Sequence, residues 1–476
     1  MKRILILLVG LIAFVGLNSA SAQSRNSYFM EGSYFRNDMN PALAPTRGYL
    51  ALPGMSGVGV NLSQNFLSID NYLYQRDGQV VTALHGSVSP NEFLGKLPDM
   101  GKLAVDTKVN ILGVGFYAKK MFWTFGLNAN VSADMALSTD VFRVLKTLGN
   151  GTYNMGATSL EANAYLDAYL GTSFRVHENV NIGIKAKFLM GAATAEAQFS
   201  ELQANVNPDA VNGVMNGTFR ANGILFDNSN MGEDPNFGDI LNMDVAYMLG
   251  NIKNFGAAID LGAEVRLFDD HLKISAAVTD LGFIKWSEGT TNISGNVNGD
   301  FYFNGFNLEN MKGDTDASFE FALDEVPQSG GYISRLNFSV NAGIEYNILK
   351  NHIAFGLLSH TKFCNTMTYT ELTASVNFRP TNWLSATFSH TFLNKNRPGV
   401  LGFALNIHPS VLNIYAGVDY IDTQWVNGPI VGSAPIPLPR YMKSINAYVG
   451  VGFNFGRPKF LKGEKQAKIE KREKKS

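Results

Sequence analysis

Eight charged residues lie where they would share a face within segments that otherwise alternate apolar and polar residues. They are Asp167, Lys185, Lys187, Asp260, Glu264, Arg266, Arg335 and Glu345. Side chains two positions apart on a strand point to the same side. The charged residues of each segment would therefore face the same side of a sheet, toward the interior of the protein. Around an open pore these charges would select ions, whereas in a narrow or plugged lumen they would pair. We favour paired, structural charges over an ion filter.

Residues suited to enzymatic chemistry form no recognisable site. Four of the seven histidines lie at predicted turns (His177, His271, His352 and His408), and the sequence has no H-E-x-x-H, phosphate-binding or G-x-S-x-G motif. The single cysteine, Cys364, excludes a disulfide or a cysteine-based metal cluster within one chain. We therefore predict a protein that is not an enzyme, with no catalytic residues, no metal site and no cofactor.

The segments that would position these charges are long and strictly alternating. From Trp123 to Ala133, and again from Ile445 to Phe455, apolar residues occupy one parity and polar residues the other. About ten such residues cross a bilayer as one strand of a β-barrel, apolar outward to lipid and polar inward. The 47 glycines and 12% aromatic residues suit such a wall. We predict an all-β, transmembrane antiparallel β-barrel. A large secreted sandwich or propeller, which would also alternate, is the alternative.

Short polar turns set the predicted strand count. Six of them separate long alternating segments, at residues 118–120, 177–179, 269–271, 350–352, 379–382 and 408–410. Outer-membrane barrels keep short turns in the periplasm and long loops outside. Six periplasmic turns, with both chain ends also periplasmic, require fourteen strands. Two further β-rich pieces, Val214–Phe226 and Thr291–Phe306, predict hairpins above external loops, or sixteen strands if both join the wall.

The chain divides into four predicted parts. Residues 1–22 read as a signal peptide, because a 14-residue apolar run is too short to span a bilayer and ends at Ala20-Ser21-Ala22. Residues 23–56 form a hatch that plugs the lumen, with a periplasmic linker as the alternative, and 57–455 form the barrel. Residues 456–476 form a basic periplasmic tail, whose 457–476 stretch holds nine basic and three acidic residues.

Two external loops contain amphipathic helix signals. Ser89 is a capping serine before Pro90, and Thr139-Asp140 opens a second candidate. Further helices are suggested at 207–209 and 239–249. The apolar residues of the first two loops could pack on themselves, or they could gather a hydrophobic ligand. The candidate ligand-gathering residues are Phe93, Leu94, Leu97, Phe142, Leu145 and Leu148.

Two short stretches carry a resemblance to known barrels. Asn40-Pro41-Ala42, directly before the first strand, resembles the hatch tripeptide of the long-chain fatty-acid channel (FadL-like) superfamily. Thr279–Trp286 looks like a strand segment common in Bacteroidota outer-membrane barrels of unassigned function, and type IX secretion barrels of the PorV and PorQ kind share this build. The first resemblance implies fourteen strands, a hatch at the tripeptide and apolar compounds bound inside. One departure is that 21 residues follow Phe455, whereas many such barrels end at an aromatic residue.

The function that follows is passage or binding of small hydrophobic molecules at the cell outer membrane. The resemblance to PorV implies an alternative, a non-transport scaffold or shuttle of a secretion or surface-assembly machine. The predicted partners are outer-membrane lipid, a hydrophobic small molecule, the barrel-assembly machinery that inserts such proteins and, for the alternative, secretion-system proteins. The body of the chain has no basic surface suited to nucleic acid.

Overall fold

The alternating segments form long strands that pair edge to edge. The computed structural model describes residues 25–52, 58–66, 68–76, 79–147, 151–156, 158–206, 211–223, 253–287, 292–303, 323–325, 331–392, 399–421, 424–431, 434–439 and 444–456. The predicted signal peptide, almost all of the basic tail and the suggested helices at 207–209 and 239–249 lie outside these residues.

Twenty-four strands and four short helices make up the described part of the chain. The strands are β1 (Gly48–Ala51), β2 (Val58–Gln64), β3 (Leu73–Arg76), β4 (Gln79–Thr82), β5 (Met100–Ala118), β6 (Met121–Ser138), β7 (Gly151–Asn154), β8 (Ser159–His177), β9 (Val180–Val206), β10 (Val211–Gly223), β11 (Asn254–Leu267), β12 (Leu272–Trp286), β13 (Asn292–Phe303), β14 (Leu323–Glu325), β15 (Tyr332–Arg335), β16 (Phe338–Ile348), β17 (Ile353–Phe363), β18 (Thr368–Thr381), β19 (Leu384–Phe392), β20 (Val400–Ile407), β21 (Leu412–Ile421), β22 (Trp425–Val431), β23 (Ala434–Pro439) and β24 (Ser444–Phe455). The helices are α1 (Arg36–Met39), α2 (Ile69–Tyr72), α3 (Pro90–Leu94) and α4 (Asp140–Thr147), with 3₁₀ turns at Arg25–Ser27 and Leu349–Asn351.

The wall is a closed antiparallel ring with fourteen strand positions. Its order is β1 with β2, then β5, β6, β8, β9, β11, β12, β15 with β16, β17, β18, β19, β20, β21 and β24. β1 and β2 share the first position because each pairs with both β5 and β24, which closes the ring. β15 and β16 share the eighth position because both pair with β12. The predicted fourteen-stranded barrel is confirmed, and its wall begins at Gly48 instead of the predicted residue 57.

The two additional β-rich pieces do not enter the wall, so a count of sixteen is wrong. β10 pairs on one side with the C-terminal half of β9, from Ala193 to Val206, and on the other side with β13. A strand can add to the ring only if it pairs on both sides with wall strands, and β13 pairs with β10 and β14 instead. These strands extend the sheet beyond the barrel, as predicted for hairpins above a loop.

Six short connections lie at one end of the ring, which we call the turn end; the opposite end is the loop end. They span residues 119–120, 178–179, 268–271, 349–352, 382–383 and 408–411. Lys119 and Asp270 adopt φ values of 54° and 67°, which lets the chain reverse tightly. The turn predicted at 379–382 is shorter than expected, because Arg379 to Thr381 continue β18. The Arg379 amide donates to the His352 carbonyl at 2.7 Å, which keeps this stretch in the wall.

The two faces of the wall differ in chemistry as the alternation predicts. Large apolar side chains are exposed on the outside, among them Phe125, Leu170, Phe188, Phe255 and Phe388. Buried polar side chains line the inside, among them Asn128, Asp167, Lys187, Asn341 and Thr387. An apolar exterior around a polar interior is the arrangement of a transmembrane barrel.

Among the described residues, no helix is long and apolar enough to cross a bilayer.

Candidate functional site

The hatch, which we define as Arg25–Arg47, fills the turn end of the lumen. It is an irregular segment with a 3₁₀ turn and α1, and most of its side chains are buried. Backbone outside regular strands cannot face lipid, because its peptide groups would lack hydrogen-bond partners there. It can lie in a lumen whose side chains hydrogen-bond to those groups. Asn341, for example, donates to the Met39 carbonyl at 2.8 Å, and Asn413 donates to the Gly32 carbonyl at 3.0 Å.

The predicted tripeptide Asn40-Pro41-Ala42 forms a buried corner of the hatch. The Asn40 side chain accepts from the Ala42 amide at 2.9 Å, a local turn that fixes the corner. Its amide nitrogen donates to the Tyr28 hydroxyl at 3.1 Å, and lies 3.3 Å from the Ala276 carbonyl of β12. The asparagine therefore ties the corner both to the hatch and to the wall.

Two glycines of the wall make room for this corner. A Cβ added to Gly183 would overlap the backbone of Pro41, and one added to Gly262 would overlap the Asn40 side-chain oxygen. The Ser173 hydroxyl donates to the Pro41 carbonyl from the neighbouring strand β8. The wall is thus shaped to the tripeptide on three adjacent strands, β8, β9 and β11.

Glu31 anchors the hatch close to the turn end. Its carboxylate lies 2.5 Å from the Lys273 ammonium, which is also 3.1 Å from Glu345. Arg379 pairs with Glu345 and donates to the Phe29 carbonyl at 2.6 Å. Burial raises the pKa of Glu31, but the charges of Lys273 and Arg379 lower it more, so the pKa lies well below its usual range.

Asp38 anchors the hatch to the other side of the lumen. It lies 3.0 Å from Lys185 and 3.4 Å from Lys108. Burial raises the pKa of Asp38, but Lys108 and Lys185 outweigh it and hold the pKa well below its usual range. The carboxylate therefore stays ionised at neutral pH.

Arg25 forms the deepest anchor, at the mid-level of the lumen. Its guanidinium lies 3.0 Å from Glu371, and both side chains are 1% exposed. Its backbone amide donates to Asp419 at 2.7 Å, and the Tyr448 hydroxyl donates to the same carboxylate at 2.7 Å. The Arg25 charge is fully enclosed, so removing its carboxylate partner would leave a buried charge without compensation.

Aromatic side chains complete the contact between hatch and wall. Tyr34 stacks on Tyr49 of β1 at 4.5 Å between ring centroids, and Phe35 lies 5.1 Å from Tyr415 of β21. Tyr415 in turn stacks on Tyr448 of β24 at 5.0 Å. The hatch thus combines charged anchors with an apolar face.

Seven of the eight charged residues predicted to face the interior are bonded to neighbours in the lumen, and six of them are buried, whereas Arg266 is partly exposed. Asp167 accepts from Asn128 at 2.8 Å, Lys185 pairs with Asp38, and Lys187 lies 2.9 Å from Asp260. Within β11, Glu264 lies 2.8 Å from Arg266. Glu345 pairs with Lys273 and Arg379, as described above.

Arg335, the eighth, is not part of this network. It is exposed at the loop end on the same parity as Ile333, whose side chain is 65% exposed, and it donates to Asn365 at 3.0 Å. The predicted inward parity fails here because the strand is interrupted at Leu336 and Asn337, between β15 and β16.

Several residues of the network carry no signal in the sequence. Asp280 lies 2.5 Å from Lys187, although it belongs to the second resembling stretch and was given no role. It has φ of 62°, at the level where the β11–β12 register shifts between Ile259 and Leu261. A bulge changes the parity of a strand, so alternation could not assign this side chain to the interior. Glu31, Asp38 and Arg25 were missed because hatch residues have no periodicity.

A polar cavity lies above the hatch and is partly open to solvent. Charged residues from both hatch and wall line it, among them Arg25, Asp106, Lys108, Asp280 and Lys362. Neutral lining residues include Asn130, Asn163, Tyr165, Ser339 and His360. We call this cavity the chamber; its surface suits polar groups better than hydrocarbon.

Sequence comparison gives the family of the chain. The profile of a family described as "Family of unknown function (DUF5723)" matches residues 41–419. The chain belongs to the DUF5723 family. No protein in a search of curated sequences matches this DUF5723 protein.

Solved structures similar to this DUF5723 protein are barrels with low sequence identity. The toluene transporter TbuX of Ralstonia pickettii is 9% identical, with 92% of this chain and 96% of that chain covered and a TM-score of 0.36. A FadL homologue of Pseudomonas aeruginosa is 10% identical, with coverages of 92% and 99% and a TM-score of 0.40. A TodX monoaromatic hydrocarbon channel mutant is 10% identical, with coverages of 92% and 97% and a TM-score of 0.38. At these scores the assignment of the fold rests on the strand pairing of this chain itself.

Four of the six predicted ligand-gathering residues lie in one loop-end cluster of the DUF5723 protein. Phe93 is 1% exposed and is surrounded by Leu94, Leu97 and Phe142, with the Phe93 and Phe142 ring centroids 6.4 Å apart. The predicted cap of α3 is present, since Ser89 accepts from the Glu92 amide at 3.2 Å. The side chain of Leu145, and all of Leu148, lie outside the described residues. The described four pack mainly on one another.

Proposed function

We propose that this DUF5723 protein is an outer-membrane barrel that binds small hydrophobic molecules and lets them cross the outer membrane, with the hatch as its gate. The observation that carries this proposal is a hatch fitted into the lumen by side-chain contacts. The hydrogen bonds given above between hatch and wall each involve a side chain, so the hatch can leave without unpairing a wall strand. Strand pairing, by contrast, would have to be broken along a whole edge.

The apolar cluster at the loop end supports a hydrophobic cargo. Leu94, Leu97, Tyr72 and Phe142 are only partly buried around Phe93, so apolar surface faces the exterior end of the lumen. Such a surface could receive a small apolar molecule before it enters the barrel. In this proposal the turn end faces the periplasm, and the mature chain begins near Gln23 after removal of the signal peptide.

The test compares two dyes of similar size, one hydrophobic and one polar, in intact Gram-negative cells that produce the protein. We expect faster entry of the hydrophobic dye than in cells with an empty vector, and still faster entry with Gly183→Ala, which disturbs the hatch corner. Gly86→Ala is the matched control, because a Cβ at that loop position meets nothing within 4 Å. Entry equal to that of the empty vector for wild type and for Gly183→Ala would overturn the proposal.

A second candidate is passage of small polar solutes, and the chamber favours it. Its lining by Asp106, Lys108, Asp280 and Lys362 offers charge to a polar molecule on the barrel axis. The same assay decides between the candidates, since faster entry of only the polar dye would support this second one. The scaffold alternative remains a prediction from the sequence, and a set of proteins that reproducibly co-purify with the barrel would support it.

A further inference from the structure

The connection between β17 and β18, residues Cys364–Met367, folds inward across the lumen. We call it the strap. β17 and β18 occupy the ninth and tenth positions of the fourteen-strand ring, whereas β5, β6 and β8 occupy the second, third and fourth. The strap therefore starts on one side of the barrel and ends against the opposite side.

Two buried carboxylates on the opposite wall hold the strap. The Thr366 amide donates to Asp134 of β6 at 3.0 Å, and the Thr366 hydroxyl donates to the same carboxylate. Asn365 donates to Glu161 of β8 at 2.7 Å. Asp134 and Glu161 are 1% and 6% exposed and are register partners across the β6–β8 ladder.

Apolar and charged contacts support the strap from below. Cys364 and Met367 pack against Ala104 of β5 in a buried cluster. Two residues before the strap, Lys362 of β17 lies 2.5 Å from Asp106 of β5. The two strands are seven positions apart around the ring. Contacts across the full width of the barrel leave little of the lumen open at this level.

The chamber lies between the strap and the hatch. Its lining includes Lys362, two residues before the strap, and Arg25, at the top of the hatch. Lys108 also lines it while pairing with Asp38 of the hatch. The lumen is therefore obstructed twice, with a polar space between the two obstructions.

We propose that the strap is a second gate, at the loop end, that acts in series with the hatch. The β17–β18 ladder begins at Phe363 and Thr368, so the strap can swing away without unpairing the wall. The strap groups that donate to Asp134 and Glu161 are neutral, and none of the ion pairs among the described residues includes either carboxylate. Asn365 also accepts from the exposed Arg335 guanidinium at 3.0 Å and donates to the Arg335 carbonyl at 3.3 Å. Release requires the loss of a few hydrogen bonds and of one small apolar contact.

The test is potassium chloride conductance of the purified full chain in planar bilayers, since ions report an open polar lumen whatever the natural cargo is. The strap variant carries Asn365→Ala with Thr366→Ala, and the hatch variant carries Gly183→Ala with Gly262→Ala. The matched control is Thr361→Ala with Thr370→Ala, an exposed pair on the same two strands whose hydroxyls lie 2.9 Å apart. Release of the hatch is verified beforehand by protease cleavage within residues 25–47.

Two gates in series predict a specific pattern. The strap variant alone should conduct as little as wild type, because the hatch still closes the lumen. The combined variant should conduct on the order of tenfold more than the hatch variant alone. Equal conductance of the hatch and combined variants, or a combined variant that stays closed, would overturn the second gate.

A disulfide provides an independent test that does not depend on weakening the strap. Asp134→Cys and Thr366→Cys, with Cys364→Ala in the hatch variant, should keep conductance low when oxidised and raise it roughly tenfold on reduction. Unchanged conductance on reduction would also contradict the proposal. Both outcomes are separate from dye entry, so failure of the hydrophobic-cargo proposal leaves this test intact.

Discussion

The two obstructions of the lumen are held in different ways. The hatch is a long segment fixed by three charged anchors, at Arg25, Glu31 and Asp38, and by stacked aromatic rings. The strap is four residues that donate from neutral groups to two carboxylates and bond to the exposed Arg335 through Asn365. Enclosed ion pairs such as Arg25–Glu371 are costly to separate, whereas a few hydrogen bonds exchange readily with water. We therefore expect the strap to move before the hatch.

The largest effect is expected from Glu371→Gln, which removes the enclosed partner of Arg25. Leaving that guanidinium buried without its carboxylate should weaken hatch docking by about 3–5 kcal/mol. Hydrogen exchange of amides 25–47 in detergent should speed up accordingly, with the strap unaffected. In the control Glu92→Gln, which breaks an exposed loop pair with Arg76, we expect hatch exchange to keep its wild-type rates. Equal effects of the two variants would contradict the proposed difference.

The next effect is expected from Thr366→Val, which keeps the shape of the side chain but removes a donor to Asp134. The strap should lose about 1.5–3 kcal/mol, the range for a hydrogen bond to a charged group. Amides 364–367 should exchange faster while those of the hatch keep their rates. Thr361→Val, on the exposed face of β17, the strand that leads into the strap, is the control. Faster exchange in the hatch as well would show that the two obstructions are coupled.

Gly183→Ala should have a somewhat smaller effect, confined to the hatch corner. The added methyl group would overlap the Pro41 backbone, and overpacking of this kind costs about 1–3 kcal/mol. Limited proteolysis should cut near residues 40–42 at lower protease concentration than in wild type, whereas Gly86→Ala should leave the pattern unchanged. Loss of the folded barrel on a heat-modifiability gel would instead place the strain in the wall.

The smallest effect is expected from Glu31→Gln. The Glu31 side chain is 30% exposed, so water screens its pair with Lys273 and the loss should be about 0.5–1 kcal/mol. Because the pKa of Glu31 is lowered in the folded hatch, its stabilisation is complete above the unfolded pKa of about 4.3 and is lost as pH falls through the folded value. The difference in hatch exchange rates between wild type and Glu31→Gln, corrected for intrinsic exchange, should therefore be constant from pH 8 to 5. A rise within that window would point to another titrating group.

The wall could be predicted from the sequence because its signals are local. Alternation near Trp123 and the short polar turns depend on neighbouring residues only, and they gave the strand count. The corner at Asn40 was predicted from a motif. The partners of the hatch anchors were not, because they depend on the stagger of distant strands. Asp280 was missed since a bulge with positive φ changes its parity.

The strap illustrates the same limit more strongly. Cys364–Met367 reads as an ordinary short connection, and its contacts with Asp134 and Glu161 join residues about two hundred positions apart. The exposed position of Arg335 has the same origin, since the break between β15 and β16 has no periodic signal.

The Arg25 anchor also sets an order of events during biogenesis. The Arg25 amide donates to Asp419, 394 positions later in the chain, and Tyr448 of the last strand completes that site. The hatch comes before the wall in the chain, but its Arg25 site is complete only once β21 and β24 are in place. Full docking of the hatch is therefore tied to closure of the ring.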